Sequence, residues 1–263
     1  MNPFFFGSSR KQLFGVHHPP KATTARSTGI LICYPFGDEY MRTHKAARQL
    51  AMMLAKAGYH LLRFDYSGTG DSAGAGEDVT IAQWLEDIAT AADELKETSG
   101  VSRISLVGLR LGATLAGQAI ATRTDVDDLV LWDPVVVAER YVDELMAAPF
   151  SDPGPAGTKD PRATLGAAGF PVSPALRAGF ADMDLSRMPL SSPRRVLLVT
   201  SHERADYTRL KQHLEAQRPQ SFLHQLVPSP APWIEMEKSN GAMVLPHQMI
   251  QAIAGHLTGH EAS

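Results

Sequence analysis

The chain has 263 residues, a formal net charge of −3, 44% hydrophobic and 20% charged residues, and a single cysteine, Cys33. This is the composition of a soluble globular chain with ample core, and its weak acidity gives no electrostatic reason to expect nucleic acid or an anionic membrane as partner. One cysteine excludes an internal disulfide and a cysteine-based metal cluster, and suits a reducing compartment. In chain order, residues 4–6 and 13–17 read as an opening pair of strands. The run 4–6 is too short for a signal-peptide core and lacks a basic leader, and no apolar run reaches bilayer length, so a cytoplasmic location without membrane insertion is the default. Residues 29–34 form an apolar strand ending at Pro35, and Ala47, Leu50 and Leu54 recur at helical spacing before Gly58. Residues 59–64 are the next strand, and Ile81, Trp84, Leu85, Ile88 and Leu95 make one face of a second helix. A strand at 104–107, a small-residue helix and a strand at 129–132 follow.

From 135 to 193 the rhythm breaks into a span rich in Pro, Gly, Ala and Ser, without strands and with helical hints only near 139–147 and 174–183. It reads as a small lid over a pocket, the alternative being a surface loop. The pattern then resumes with a strand at 195–200, a helix at 206–217, a strand at 222–227 and a closing helix at 249–257. Alternation of this kind predicts an α/β fold, with a mostly parallel sheet of about eight strands and helices on both faces. Residues 1–134 and 194–263 would form the two parts of the core around the 135–193 insertion.

The most informative stretch is Gly108-Leu109-Arg110-Leu111-Gly112. It stands between a strand and a helix, where α/β-hydrolases present the serine of G-x-S-x-G on a sharp turn. The glycines suit that crowded turn. The residue between them is a guanidinium, rich in donors and unable to attack a carbonyl carbon.

With Phe64-Asp65-Tyr66-Ser67-Gly68-Thr69-Gly70-Asp71-Ser72, which matches a D-x-x-G-x-G-x-S loop, the chain resembles the serine-aminopeptidase-like α/β-hydrolases over essentially its whole length. It is also similar to hydrolases associated with the exosortase A system, through Pro35-Phe36-Gly37-Asp38-Glu39, the G-L-R-x-G elbow and Leu131-Trp132-Asp133-Pro134. The resemblance implies the α/β-hydrolase fold and hints at an accessory role in a biosynthetic pathway. It also implies a triad acid after strand 195–200, where Glu203 stands, and a histidine after strand 222–227, where there is none and Trp233 is the expected occupant.

Two readings of Arg110 stay open. As an anion clamp at the helix N-terminus it would grip a carboxylate, phosphate or oxyanion. As a structural ion pair it would be neutralised by Glu39, Asp133 or Glu203. These carboxylates are also the candidates for moving protons, and Phe36, Gly37, Leu111 and Trp233 the candidates for lining a substrate site, with backbone N–H groups of Leu111 and the 36–37 loop as oxyanion donors. Ser67 and Ser72 lack an obvious base, Asp65 and Asp71 read as ties within their loop, and Cys33 as a buried hydrophobe. No spacing suggests a metal or a cofactor. The leading expectation is an enzyme acting without a serine intermediate on a small acidic or acyl-bearing metabolite by acyl transfer, cyclisation, elimination or hydrolysis. The rival is a non-catalytic pseudo-hydrolase that keeps the pocket for binding. A homodimer is left open.

Overall fold

The computed structural model describes residues 1–147, 166–167, 170–190, 192–218, 220–229 and 245–259. Its strands are β1 (Asn2–Ser8), β2 (Lys11–His18), β3 (Thr28–Cys33), β4 (His60–Phe64), β5 (Arg103–Leu109), β6 (Val126–Trp132), β7 (Gly166–Ala167), β8 (Phe170–Pro171), β9 (Arg195–Thr200) and β10 (Phe222–Leu226). Its helices are α1 (Asp38–Lys56), α2 (Ile81–Ser99), α3 (Leu111–Ala119), α4 (Ala138–Ala147), α5 (Pro174–Ala181), α6 (Ala205–Gln217) and α7 (His247–Thr258).

Eight strands form one sheet in the order β1-β2-β4-β3-β5-β6-β9-β10. The first two run antiparallel to each other, β2 runs antiparallel to β4, and all pairs from β4 to β10 are parallel. Every residue of β3 is buried, as are all but the first of β5, so these central strands are covered on both faces. The covering helices follow the expected faces: Trp84, Ile88 and Leu95 of α2, and Leu50 and Leu54 of α1, are among the most buried side chains. Helix α2 is closed at both ends by local chemistry. The Thr80 hydroxyl accepts from the Gln83 amide at its start, and Gly100 takes the left-handed conformation (φ 75°) at its end.

Two expectations need correction. Residue patterning places the start of the first helix near Arg42 with Glu39 as its cap, whereas the helix begins at Asp38, so Glu39 lies in its first turn and makes no cap. The 135–193 span is not strand-free: β7 pairs antiparallel with β8, and Val137 bridges Asp184. Strands this short carry no hydrophobic period to read. The described parts of the span lie against the core, with Phe170 meeting Phe36 at 5.9 Å between ring centroids. Among the described residues, no helix is long and apolar enough to cross a membrane.

The end of the sheet opposite the elbow is tied by Asp128, whose carboxylate takes Nε and Nη2 of Arg195 at 2.7 and 2.9 Å and the Ser105 hydroxyl at 3.0 Å. Burial alone would raise its pKa. Hydrogen bonds from His256 and Arg195 instead hold it at about 2, below the ordinary 3.8. A carboxyl depressed on folding stabilises above its unfolded pKa, and that contribution is lost as pH falls from the ordinary value toward the native one. Asp128→Asn is therefore expected to cost about 2 kcal/mol at pH 7. The gap from wild type should shrink steadily as urea denaturation is repeated from pH 5 down toward pH 2.

Candidate functional site

The elbow is built as its glycines require. A Cβ on Gly108 would stand 2.3 Å from the Ala113 Cα, and one on Gly112 would stand 2.3 Å from the Cys33 carbonyl oxygen. Between them Arg110 adopts φ 55° and ψ −123°, a conformation that a side chain with a Cβ enters only at a cost of about 1–3 kcal/mol. Backbone bonds hold it there: its N–H donates to the Trp132 carbonyl at 3.0 Å, and its carbonyl accepts from Ala113 at 3.0 Å and Val135 at 3.3 Å. The strained turn that presents a nucleophile in this architecture is intact, and it presents an arginine.

That arginine is locked. Its Nε donates to Oε1 of Glu39 at 3.0 Å and its Nη1 to the Asp133 carbonyl at 3.0 Å. The Tyr141 hydroxyl, from α4, donates to the second Glu39 oxygen at 2.9 Å, and the guanidinium carbon lies 5.7 Å from the Tyr141 ring centroid. Arg110 is 5% and Glu39 6% exposed. Of the two readings the sequence leaves open, the geometry matches the structural ion pair, with Glu39 as the partner. Burial pushes the Glu39 carboxyl above its ordinary value, while Arg110 and Tyr141 pull it down. The same pairing pushes Arg110 higher still, so its charge is permanent.

Asp133 joins the cluster through its backbone carbonyl. It sits at φ 41°, and its carboxylate turns the other way, where Oδ1 accepts the Ser201 amide at 2.7 Å. Oδ2 is buried with no hydrogen-bond partner among the described residues, as is the Tyr207 hydroxyl. Burial raises the Asp133 carboxyl, opposed by the Ser201 amide and hydroxyl and by Arg110. Ser201 Oγ in turn lies 2.9 Å from Nδ1 of His202.

Of the other expected site residues, Glu203 is not brought in. It is exposed at the turn into α6, because the chain leaves β9 with Ser201, not residue 203, facing Asp133. Phe36 is buried against Trp84 at 5.4 Å between centroids. Gly37 (φ 68°) caps α1, and Leu111 is a fully buried first residue of α3. Trp233 lies outside the described residues. Tyr141, Tyr207, Ser201 and His202 escape a sequence reading, since no spacing rule links them to positions 39, 110 or 133.

The remaining candidates are structural. Asp65 Oδ2 accepts the Asp71 amide at 3.1 Å, tying that loop as expected. The Ser67 hydroxyl donates to Asp87, and the Ser72 hydroxyl donates to the Asp65 carbonyl while accepting from the Phe14 amide. Burial pushes the Cys33 thiol up to about 12, so it is no thiolate. Among the described residues, no three His, Cys, Asp or Glu side chains are placed to hold a metal ion.

The space left beside Arg110 is about 20 Å³, walled by Val135, Val137, Arg140, Tyr141 and Arg204. That is room for about one water molecule. Most of this wall belongs to the inserted span and its leading helix.

With this geometry in view, the likenesses to known proteins are informative. A family model described as serine aminopeptidase, S33, matches residues 30–152. The chain is 31% identical over 105 residues to palmitoyl-protein thioesterase ABHD10, mitochondrial, of Bos taurus, covering 39% of this chain and 32% of that protein. The same protein of Homo sapiens is matched at 31% identity, over 40% of this chain and 32% of its length. The match thus spans about a third of the length of these curated relatives. Among solved structures, alpha/beta hydrolase domain-containing protein 10 from mouse superposes with TM-score 0.64 at 18% identity, covering 98% of this chain and 99% of that one. Est1E from Butyrivibrio proteoclasticus, bound to ferulic acid, gives 0.67 at 17% identity over 99% and 100%. Likeness at such identities speaks to architecture, and the architecture is unambiguous: this chain has the α/β-hydrolase fold.

Proposed function

We propose that this chain is a pseudo-hydrolase, a hydrolase-fold protein that has given up acyl-enzyme chemistry and serves as a binding or accessory protein. The observation that carries this reading is the Arg110–Glu39 pair. It fills the place of the nucleophile with a buried, neutralised cation and is sealed by Tyr141 from the inserted span. An ionised arginine that already has its carboxylate has little electrostatic reason to take a second anion, so the anion-clamp reading loses support. Among the described residues the cavity beside the pair is about 20 Å³, too small for an acyl group.

The Ser201–His202 couple does not restore the chemistry. In a working triad the imidazole stands between carboxylate and hydroxyl, so that it can take the proton and be steadied as a cation. Here the hydroxyl stands between the Asp133 carboxylate and the His202 ring. Nor is Ser201 at the elbow, where the α3 amides would stabilise an oxyanion.

The curated relatives are named as palmitoyl-protein thioesterases, so a thioester belongs in the test. Incubation with a fluorophosphonate probe is expected to leave the mass of the intact protein unchanged. Turnover of p-nitrophenyl butyrate and of S-butyrylthiocholine should stay at the buffer rate. A stoichiometric adduct, or saturable turnover abolished by Ser201→Ala or Glu39→Gln, would overturn the proposal.

A further inference from the structure

The fold also buries Arg63 of β4 to 3% exposure, and its surroundings differ from those of Arg110. Among the described residues no acidic side chain pairs with it. Its Nε donates to Nε2 of His18 at 3.0 Å and its Nη1 to the Tyr34 hydroxyl at 2.7 Å, with Nε2 of His44 at 3.4 Å from Nη1. Both imidazoles are shifted toward the neutral form, His18 down to about 4 and His44 in the same direction, by burial first and then by Arg63. They therefore act as uncharged acceptors near pH 7. The Nη2 nitrogen has no hydrogen-bond partner among the described residues. A guanidinium without a counter-ion is costly to bury, and neutral acceptors offset only part of that cost.

Arg63 lines an open cavity of about 330 Å³, much larger than the space at the elbow. Phe14 and Val16 form an apolar wall, with the Tyr34 and Tyr40 rings edge to face at 5.1 Å. Arg48 is exposed at the rim. Asp65 and the exposed Asp71 also border the cavity. Asp65, however, accepts from the Tyr40 hydroxyl at 2.7 Å and the Asp71 amide at 3.1 Å, and makes no ion pair with Arg63 among the described residues.

We propose that this cavity binds a small ligand carrying a carboxylate or phosphate on an apolar body, with the anionic group seated on Arg63 and Arg48 and the body against Phe14, Val16 and the two tyrosine rings. This site stands apart from the elbow and does not depend on the reading given to it.

Titration calorimetry with benzoate, its neutral isostere benzamide and inorganic phosphate tests the proposal. Benzoate is expected to give saturable heat and benzamide none. Saturable heat from phosphate alone would assign the anionic group to a phosphate. Arg48→Ala, at the exposed rim, should keep the fold and weaken anion binding about tenfold. Arg63→Met should abolish anion binding and leave the thermal midpoint of the free protein equal or higher, because it removes an unpaired buried charge. No saturable heat from either anion, equal affinity for benzamide, or a lower midpoint in Arg63→Met would each overturn the proposal, the last by making Arg63 a structural strut.

Discussion

Glu39→Ala is expected to destabilise the protein by about 3–5 kcal/mol, because it strips a buried guanidinium of the carboxylate hydrogen-bonded to it and leaves it no route to neutrality. Arg110→Ala should cost less. The carboxylate it strands is already pushed upward by burial and can discharge by taking a proton. The sign of the pH dependence follows. With its arginine gone, Glu39 has a native pKa raised further above its unfolded value, so the variant is penalised where the unfolded carboxyl ionises and the native one does not. Its deficit should be smallest below pH 4.5 and widen as pH rises through the carboxylate range. Glu39→Ala should show no such relief in acid. The double variant Glu39→Leu/Arg110→Met should recover most of the loss, since exchanging a buried pair for apolar side chains of similar volume is often neutral. Urea denaturation of the four proteins at pH 5 and pH 7 decides the matter. If Glu39→Ala were within 1 kcal/mol of wild type, the pair would not anchor the elbow and Arg110 would again be a candidate for gripping a ligand.

What the sequence discloses divides along physical lines. Apolar runs such as 29–33 and 195–200 disclose the parallel strands because a strand covered on both faces must be apolar throughout. The elbow is legible because only glycine fits where Gly108 and Gly112 stand. Glu39 and Asp133 can be named because the loop after β3 and the end of β6 open on the same edge of the sheet as the elbow. Sequence does not disclose which way each carboxylate turns. Asp133 offers Arg110 its carbonyl and gives its side chain to the Ser201 amide. Glu203 has the right distance along the chain from β9 and the wrong direction in space. Tyr141 is hidden for a different reason: its hydroxyl meets Glu39 across 102 positions of sequence, and an isolated tyrosine on an amphipathic helix reads only as core. The pairing of β7 with β8 is two residues long on each side, below the length at which any period exists.

Gly112→Ala is expected to be among the most damaging small substitutions in the described residues, costing about 4 kcal/mol or more and abolishing soluble expression if overall stability is ordinary. The added methyl would meet the Cys33 carbonyl oxygen at 2.3 Å and that of Tyr34 at 2.4 Å. These are backbone atoms of the central strand and the loop leaving it, which cannot yield as a side chain would. Gly255→Ala, within α7, is the matched control. Among the described residues nothing lies within 4 Å of its Cβ position, so it should gain about 0.5–1 kcal/mol from helix propensity. Thermal denaturation of the two variants should place them on opposite sides of wild type. A folded Gly112→Ala with an unchanged midpoint would mean that helix α3 does not approach β3 as closely as described. The expected outcome separates architecture from chemistry at one turn. Glycine at 112 is required by how tightly α3 packs against the strand beside it, whichever residue the elbow presents. The turn can therefore outlive its nucleophile, and its presence says that the fold is kept while leaving the reaction to be judged from Arg110, Glu39 and Tyr141.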